Sequence, residues 1–534
     1  MSSIIYVVVA LAAVVAAVAV LASRLKIAPA ILLLIVGIGL ALTPGLPSLE
    51  LAPELVLLLV LPPLIYSAAV AMSWNDFRFN LRPIALLAIG CVVFTTIATA
   101  AATHYLLGFP WAVGFVLGAI VSPPDAVAAL SIARRMGLPR RLTVILEGEA
   151  LANDATALIL YRFAVAAVSV GTFSLGQAVG AFALILVGEI LWGIAVGWIM
   201  LRLRHWVRDP SVEILLSVLT PFLAYWPPVQ LGGSGVLATV ATGLYFSWNG
   251  PRLISAATRL QGIFFWDFLI YLIEGMVFLI TGLQARALIS GIEGLPLTAL
   301  ASAAAIVCAT IIVARYVWIY PATYVPRWMF AKLRAIDPYP PLQYPTVLGS
   351  AGIRGIVSLA AALALPATIA NGAPFPHRDL ILFLTFSVIF VTLVVQGSLL
   401  PAIIRWLGLA NTGRQERSDE LSQELIARRR AIEVASERLE RLSAERQLPH
   451  DTLALLRAHH QDRLTRLSLR GTSANDGGAI AQLNSEVELA LVAAERTFIN
   501  DLYRAGDLKD DARRRIEREL DLREAHLANQ NPED

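Results

Sequence analysis

The densest set of chemically capable side chains in the sequence is Glu147-Gly148-Glu149-Ala150-Leu151-Ala152-Asn153-Asp154, inside an otherwise apolar run. On a helix Glu149 and Asn153 share one face, four residues apart. Asp154 is turned about 140° from Glu149 and can look into a different cavity. A carboxylate beside an amide offers oxygen atoms to a small hard cation, and the same carboxylate can take a proton when no cation is bound. The preceding apolar run carries Ser122-Pro123-Pro124-Asp125 at its middle. Two consecutive prolines remove two backbone donors and clash with the upstream turn, so the helix must open there. Opened backbone is tolerated at membrane depth only where it lines a cavity or packs in protein. Carbonyls of Ala119 to Ser122 are then free to face an ion, with Asp125 at the positive start of the resumed helix. A third element is Arg354 in Gly349-Ser350-Ala351-Gly352-Ile353-Arg354-Gly355. Arginine does not shed its proton, so a buried one demands a fixed partner. The expected partner is Glu149.

These residues need a membrane to be unusual, and the composition supplies one. Of 534 residues 57% are apolar and only 15% charged, whereas soluble domains carry about 25% charge. The average hides a boundary. Residues 1–410 hold 37 charged side chains with a net charge of +7, and residues 411–534 hold 44 with a net charge of −4. The first part reads as a transmembrane domain and the second as a charged helical tail. Thirteen apolar segments are long enough to cross a bilayer: 4–22, 28–43, 51–72, 81–107, 112–133, 142–165, 174–201, 211–226, 232–248, 263–284, 296–319, 342–365 and 379–404. Their continuous apolar character excludes an alternating membrane barrel. The first run lacks a basic leader and reads as a spanning helix rather than a cleaved signal.

Placing the amino terminus outside puts sixteen Lys and Arg in cytoplasmic loops and only Arg286 and Arg378 in external ones. That bias fixes the orientation and sends the tail to the cytoplasm. The tail should form helices over 416–447, 450–468, 480–505 and 508–528, with a polar break between Gly471 and Gly478. His450, His459 and His460 read there as solvated side chains. Cys91 and Cys308 lie in apolar runs without metal or redox spacing. Glu189, Asp267, Glu274, Arg162 and Arg315 read as structural pairs or vestibule groups, Arg162 and Arg315 as side chains that snorkel to an interface. Trp111, Trp226 and Trp318 read as interface anchors. No GxxxxGK phosphate loop, repeated channel filter or nucleic-acid signal is present.

Across residues 1–410 the sequence resembles the monovalent cation/proton antiporters of the first cation/proton antiporter family. The resemblance lies in Leu61-Pro62-Pro63, Ser122-Pro123-Pro124-Asp125, Gly148 to Asp154, Gly352-Ile353-Arg354-Gly355 and Val395-Gln396-Gly397. It implies an all-α, inverted-repeat fold with two broken crossing helices, and a homodimer in a bacterial inner membrane. It further implies exchange of a monovalent cation for H+ without ATP or cofactor, usually electroneutral, in the service of pH homeostasis. Asp154 would carry cation or proton in turn, Asn153 would support it, Asp125 and Ser122 would shape the site, and Glu149 would pair with Arg354. Three positions depart from the family pattern: Ser67 replaces a frequent acid, Pro124 a frequent Thr, and Ala150 a frequent Ser. Each change is expected to remove an oxygen ligand or a charge. Na+, K+ and Li+ are all compatible with what is left. The competing reading is an ion-sensing or channel-like protein without obligatory proton exchange.

Overall fold

The computed structural model describes all residues except 1, 26, 44–51, 171–174, 208, 293–295, 371, 447–448, 472–476, 506–509 and 529–534. The chain forms two compact units, Met1–Arg414 and Gln415–Asp534. Helices dominate both, as continuous apolar or amphipathic runs without strand alternation require.

The first unit runs through α1 (Ser2–Leu25), α2 (Pro29–Ala41), α3 (Pro53–Ala71), a short α4 (Trp74–Phe79) and α5 (Leu81–Leu107). It continues with the interrupted pair α6 (Trp111–Val121) and α7 (Ala126–Arg135), then α8 (Arg140–Val170), α9 (Leu175–Trp206), α10 (Pro210–Gln230) and α11 (Val236–Leu253). The last stretch holds α12 (Ala256–Leu283), the short α13 (Ala285–Ser290), α14 (Leu297–Met329), α15 (Ala331–Ile336), a second interrupted pair α16 (Gln343–Ser350) and α17 (Ile356–Leu363), and α18 (Arg378–Trp406). Among the described residues eight helices are long and apolar enough to cross a membrane, and α2 and α6 are shorter apolar ones. Gly37 of α2 and Gly282 of α12 meet backbone to backbone; a Cβ on Gly282 would lie 2.8 Å from the Gly37 Cα. Small residues at such crossings let membrane helices approach closely.

Helices α3, α5 and α18 each contain a π-helical turn, at Val56–Val60, Leu86–Cys91 and Val391–Gln396. A π turn leaves a carbonyl without its usual donor. Tryptophans satisfy two freed carbonyls: Trp226 Nε1 donates to Leu58 O, whose i+4 and i+5 positions are the donorless Pro62 and Pro63, and Trp318 Nε1 donates to Leu86 O in the π turn of α5, both at 2.9 Å. Trp226 is also exposed, as an interface anchor would be, so each side chain satisfies freed backbone whatever it does at an interface. Trp111 does sit exposed at the start of α6, stacked on His104.

Two further polar clusters fix helix ends. Glu189 of α9 is buried and accepts from the backbone N–H groups of Ser234, Gly235 and Leu237 at 2.5, 3.0 and 3.1 Å, and from the Ser234 hydroxyl. Its partner is thus the electropositive start of α11 rather than a cation. Asp337, after α15, accepts from Arg82 of α5, Arg141 of α8 and Arg327 of α14 at 2.8, 2.8 and 2.7 Å. One carboxylate ties together three helices, two of which carry site residues.

In the second unit the helices are α19 (Leu409–Arg446, beginning just inside the first unit), α20 (His450–Gly471), α21 (Gly477–Ala505) and α22 (Asp510–Ala528). Most of the polar break expected between Gly471 and Gly478 lies outside the described residues. Val492 and Leu520 form a small apolar contact between α21 and α22. Glu440 and Arg457 make a double hydrogen bond at 2.8 and 2.6 Å, which holds the Glu440 carboxyl below its ordinary range. Both side chains are exposed, so the pair adds little stability.

Candidate functional site

The two interruptions meet. Pro123 and Pro124 open the chain between α6 and α7, and Ala351 to Gly355 opens it between α16 and α17. The backbone N–H of Asp125 donates to Ile353 O at 2.6 Å, joining one gap to the other. The Asp125 side chain caps α7 by accepting from Val127 N at 2.9 Å. The crossing is tight enough that any Cβ at Gly355 would run into the Asp125 carboxylate.

Arg354 serves this crossing. It is fully buried, and its Nε donates to Val121 O at 3.0 Å, its Nη2 to Ser122 O at 3.5 Å, and its Nη1 to Gly352 O. Its own backbone N–H donates to Thr392 Oγ1 of α18 at 3.0 Å. The guanidinium thus satisfies carbonyls that the broken helices free. The expected Glu149–Arg354 pair is corrected: Glu149 is clasped by Arg315 of α14 through two bonds, Nη1 to Oε1 at 2.6 Å and Nη2 to Oε2 at 2.8 Å. Both side chains are about 2% exposed. Arg315 Nε also donates to Leu348 O of α16 at 3.0 Å. The snorkelling reading of Arg315 fails because α14 continues ten residues past the end of the expected segment at 319, to Met329.

Asn153 is buried and its Nδ2 donates to Pro124 O at 2.8 Å, fixing α8 to the opened chain. Its Oδ1 has no hydrogen-bond partner among the described residues. Neither Asn153 nor Ser122 borders the cavity that Asp125 and Asp154 line; the Ser122 hydroxyl bonds back to Ala119 O at 3.3 Å. Of the four residues expected to meet the cation, Asp125 and Asp154 thus border the cavity, and Asn153 and Ser122 stand off its wall.

The cavity itself has a volume of about 230 Å³ and is bordered by Asp125, Pro124, Ala150, Asp154, Glu274 and the Arg134–Glu147 ion pair, between apolar walls from α3, α12 and α17. Asp154 stands on its wall half-buried, with no hydrogen bond or ion pair among the described residues. Its separation from Glu149 is the division that the five-residue spacing predicts: one carboxylate is neutralised, the other is presented to a water-sized space. Ser67 lies off this cavity and borders a second one of about 450 Å³ with Arg204, Trp266 and Asp267. The loss of an acid at position 67 therefore removes nothing from the Asp154 cavity, whereas Pro124 and Ala150 do border it without a side-chain oxygen.

A multi-pass helical protein with a crossing of two broken helices beside an unpaired carboxylate is a membrane transporter in its architecture. The family model described as the transmembrane sodium/hydrogen exchanger matches residues 9–406, and the chain belongs to that family. It is thus a secondary cation/proton antiporter, not a catalytic enzyme. The chain is 34% identical over 529 residues to an uncharacterised Na+/H+ exchanger of Mycobacterium tuberculosis, covering 98% of this chain and 96% of that protein. It is 34% identical over 381 residues to a sodium, potassium, lithium and rubidium/H+ antiporter of Bacillus subtilis, covering 69% of this chain and 56% of that protein. Among solved structures, the sodium proton antiporter of Methanocaldococcus jannaschii has the same fold, with a TM-score of 0.61 at 19% identity over 77% of this chain and 98% of that one.

Proposed function

We propose that the chain exchanges Na+ for H+ one-for-one through Asp154, and that K+ and Li+ can replace Na+. What carries the reading is the contrast within α8: Glu149 is locked to Arg315, while Asp154 faces a cavity with no cation of its own. A bare carboxylate is costly at membrane depth, so Asp154 crosses only when occupied by a cation or a proton. That requirement couples the two flows without ATP, since each ligand selects the state it binds. Asp125 closes the crossing and faces the same space, Asn153 holds the Pro124 carbonyl in place, and Ser122 acts through its backbone. Pro124 and Ala150 leave few side-chain oxygens for the cation, so backbone carbonyls and water complete its shell. That favours a tolerant site, and the Bacillus subtilis relative is named for four alkali cations.

The membrane domain, 1–410, is read as thirteen crossings in an inverted repeat, with α6/α7 and α16/α17 as its broken members and a homodimer as the working form. The amino terminus lies outside, and residues 411–534 form a cytoplasmic tail. The cavity mouth at Arg134 and Glu147 then opens to the cytoplasm, and alternation moves the crossing against the scaffold around α1, α2 and α12. In sealed proteoliposomes with a preset pH gradient, pulses of NaCl, KCl or LiCl should dissipate the gradient and choline chloride should not. A gradient unmoved by every alkali cation, or a current without proton counterflow, would favour the sensor or channel reading.

A further inference from the structure

We infer that Glu274 is a cation-collecting carboxylate that serves the cavity-facing side of the transporter alone; this rests on Asp154 being the carrier. Glu274 borders the same cavity as Asp125 and Asp154, but from the opposite wall. That wall, α12, packs on α1 and α2 as well as on α17. One residue beyond Glu274, Gly275 packs against Val15 of α1, where an added Cβ would sit 2.6 Å from Cγ1, and two turns on Gly282 meets Gly37 of α2. Asp154, by contrast, belongs to the crossing: Asn153 next to it holds Pro124 of the opened helix. Besides Glu147, which is paired with Arg134, three carboxylates therefore share one space while standing on two walls.

The balance of charge in the cavity makes Glu274 more than a lining residue. Among the described residues Arg134 is the one basic side chain that borders it, and Arg134 is paired with Glu147 at 2.8 Å. Among the described residues Glu274 has neither a hydrogen bond nor an ion pair. A structural carboxylate in this chain looks different, as Glu149 and Glu189 show with their full sets of donors. An unpaired acid beside the carrier raises the local concentration of cations and speeds their arrival, since low-dielectric walls focus its field. In the alternation proposed above, Glu274 stays with α1 and α2, on which α12 packs through Gly275 and Gly282, while Asp154 moves with the crossing. Its help is therefore available only while the cavity is open on this side, which makes the exchanger asymmetric.

The test is cation-driven proton flux in proteoliposomes of defined orientation, comparing wild type, Glu274→Gln, Glu274→Asp and Asp154→Asn. For Glu274→Gln the KM for Na+ on the cavity side should rise about tenfold, with the maximal rate within about twofold and the KM on the other side unchanged. Raising ionic strength with choline chloride should shrink the difference between wild type and Glu274→Gln, because mobile ions screen the field. Glu274→Asp should restore most of the affinity. Equal KM changes on both sides, a loss confined to maximal rate, or no change at all would overturn the inference. If Asp154→Asn still exchanges, the carrier assignment fails instead; if Asp154→Asn is silent and Glu274→Gln behaves as wild type, only the role of Glu274 falls.

Discussion

Arg315→Met is expected to destabilise the membrane domain by about 3–5 kcal/mol, because it leaves Glu149 as an uncompensated charge in the interior. The same change breaks the bond from Arg315 to the Leu348 carbonyl, so α16 loses a tether just before its helix opens. Glu149→Leu alone should cost a comparable amount by stranding the guanidinium. The double variant Glu149→Leu/Arg315→Met should recover most of the loss, since an apolar pair of similar volume replaces an ion pair whose desolvation is expensive. Reversible unfolding in detergent, run as a double-mutant cycle, measures this coupling. Costs that simply add would mean that the two side chains do not work as a unit.

Asp154→Asn is expected to leave a folded protein whose exchange is lost by more than about a hundredfold, equivalent to about 2.7 kcal/mol in barrier height. The amide keeps the shape of the side chain and cannot take up or release a proton. It also offers a cation a neutral oxygen in place of a charged one. Because Asp154 makes no hydrogen bond or ion pair within the described residues, the substitution strands no buried partner, and stability should change far less than for Arg315→Met. Asn153→Ala offers a graded comparison, since it frees the Pro124 carbonyl and loosens the crossing without removing the titrating group. Solute-flux assays on reconstituted protein, normalised to its folded fraction, separate loss of transport from loss of protein.

How far the sequence reveals this site depends on the kind of interaction. The opening at Pro123-Pro124 is legible because a missing N–H and a ring clash are local facts about two residues. The placement of Asp154 is legible because its five-residue spacing turns it about 140° from Glu149, and the structure sets it on the cavity wall while Glu149 is paired. The partner of Glu149 is not legible from spacing. Arg315 and Arg354 are both arginines in apolar runs, and the choice between them is made by how α14 and α16 pack. Two features obscured Arg315. Pro321 and Pro326 suggest the end of a membrane segment, yet both lie inside α14, which runs on to Met329. An arginine is also usually matched with a carboxylate, whereas Arg354 spends its donors on the carbonyls that a broken helix exposes. The sequence does hint at that second use, since Arg354 sits among three glycines that permit unwound backbone.

Trp226 and Trp318 teach a related point. Aromatic residues near the ends of apolar runs usually mark an interface, and these two also give their indole N–H to carbonyls that Pro62-Pro63 and the π turn of α5 leave without donors. Pro62-Pro63 announces the free Leu58 carbonyl, whereas nothing in the run 86–91 marks a π turn in advance, so the Trp318 contact could not be anticipated. The same holds for Ser67, whose position relative to Leu61-Pro62-Pro63 suggests a ligand site while its face of α3 turns to a different cavity.

The central claim is that one side chain, Asp154, holds either a proton or a cation and never both. Isothermal titration of NaCl into the detergent-solubilised protein, in buffers of different ionisation enthalpy, counts protons released per cation bound. The account predicts close to one-for-one release at acidic pH, falling toward zero as pH rises and Asp154 is already ionised before the cation arrives. Asp154→Asn should show neither the binding nor the release. Undiminished proton release from Asp154→Asn, or cation binding to the wild type with no proton released at any pH, would contradict it.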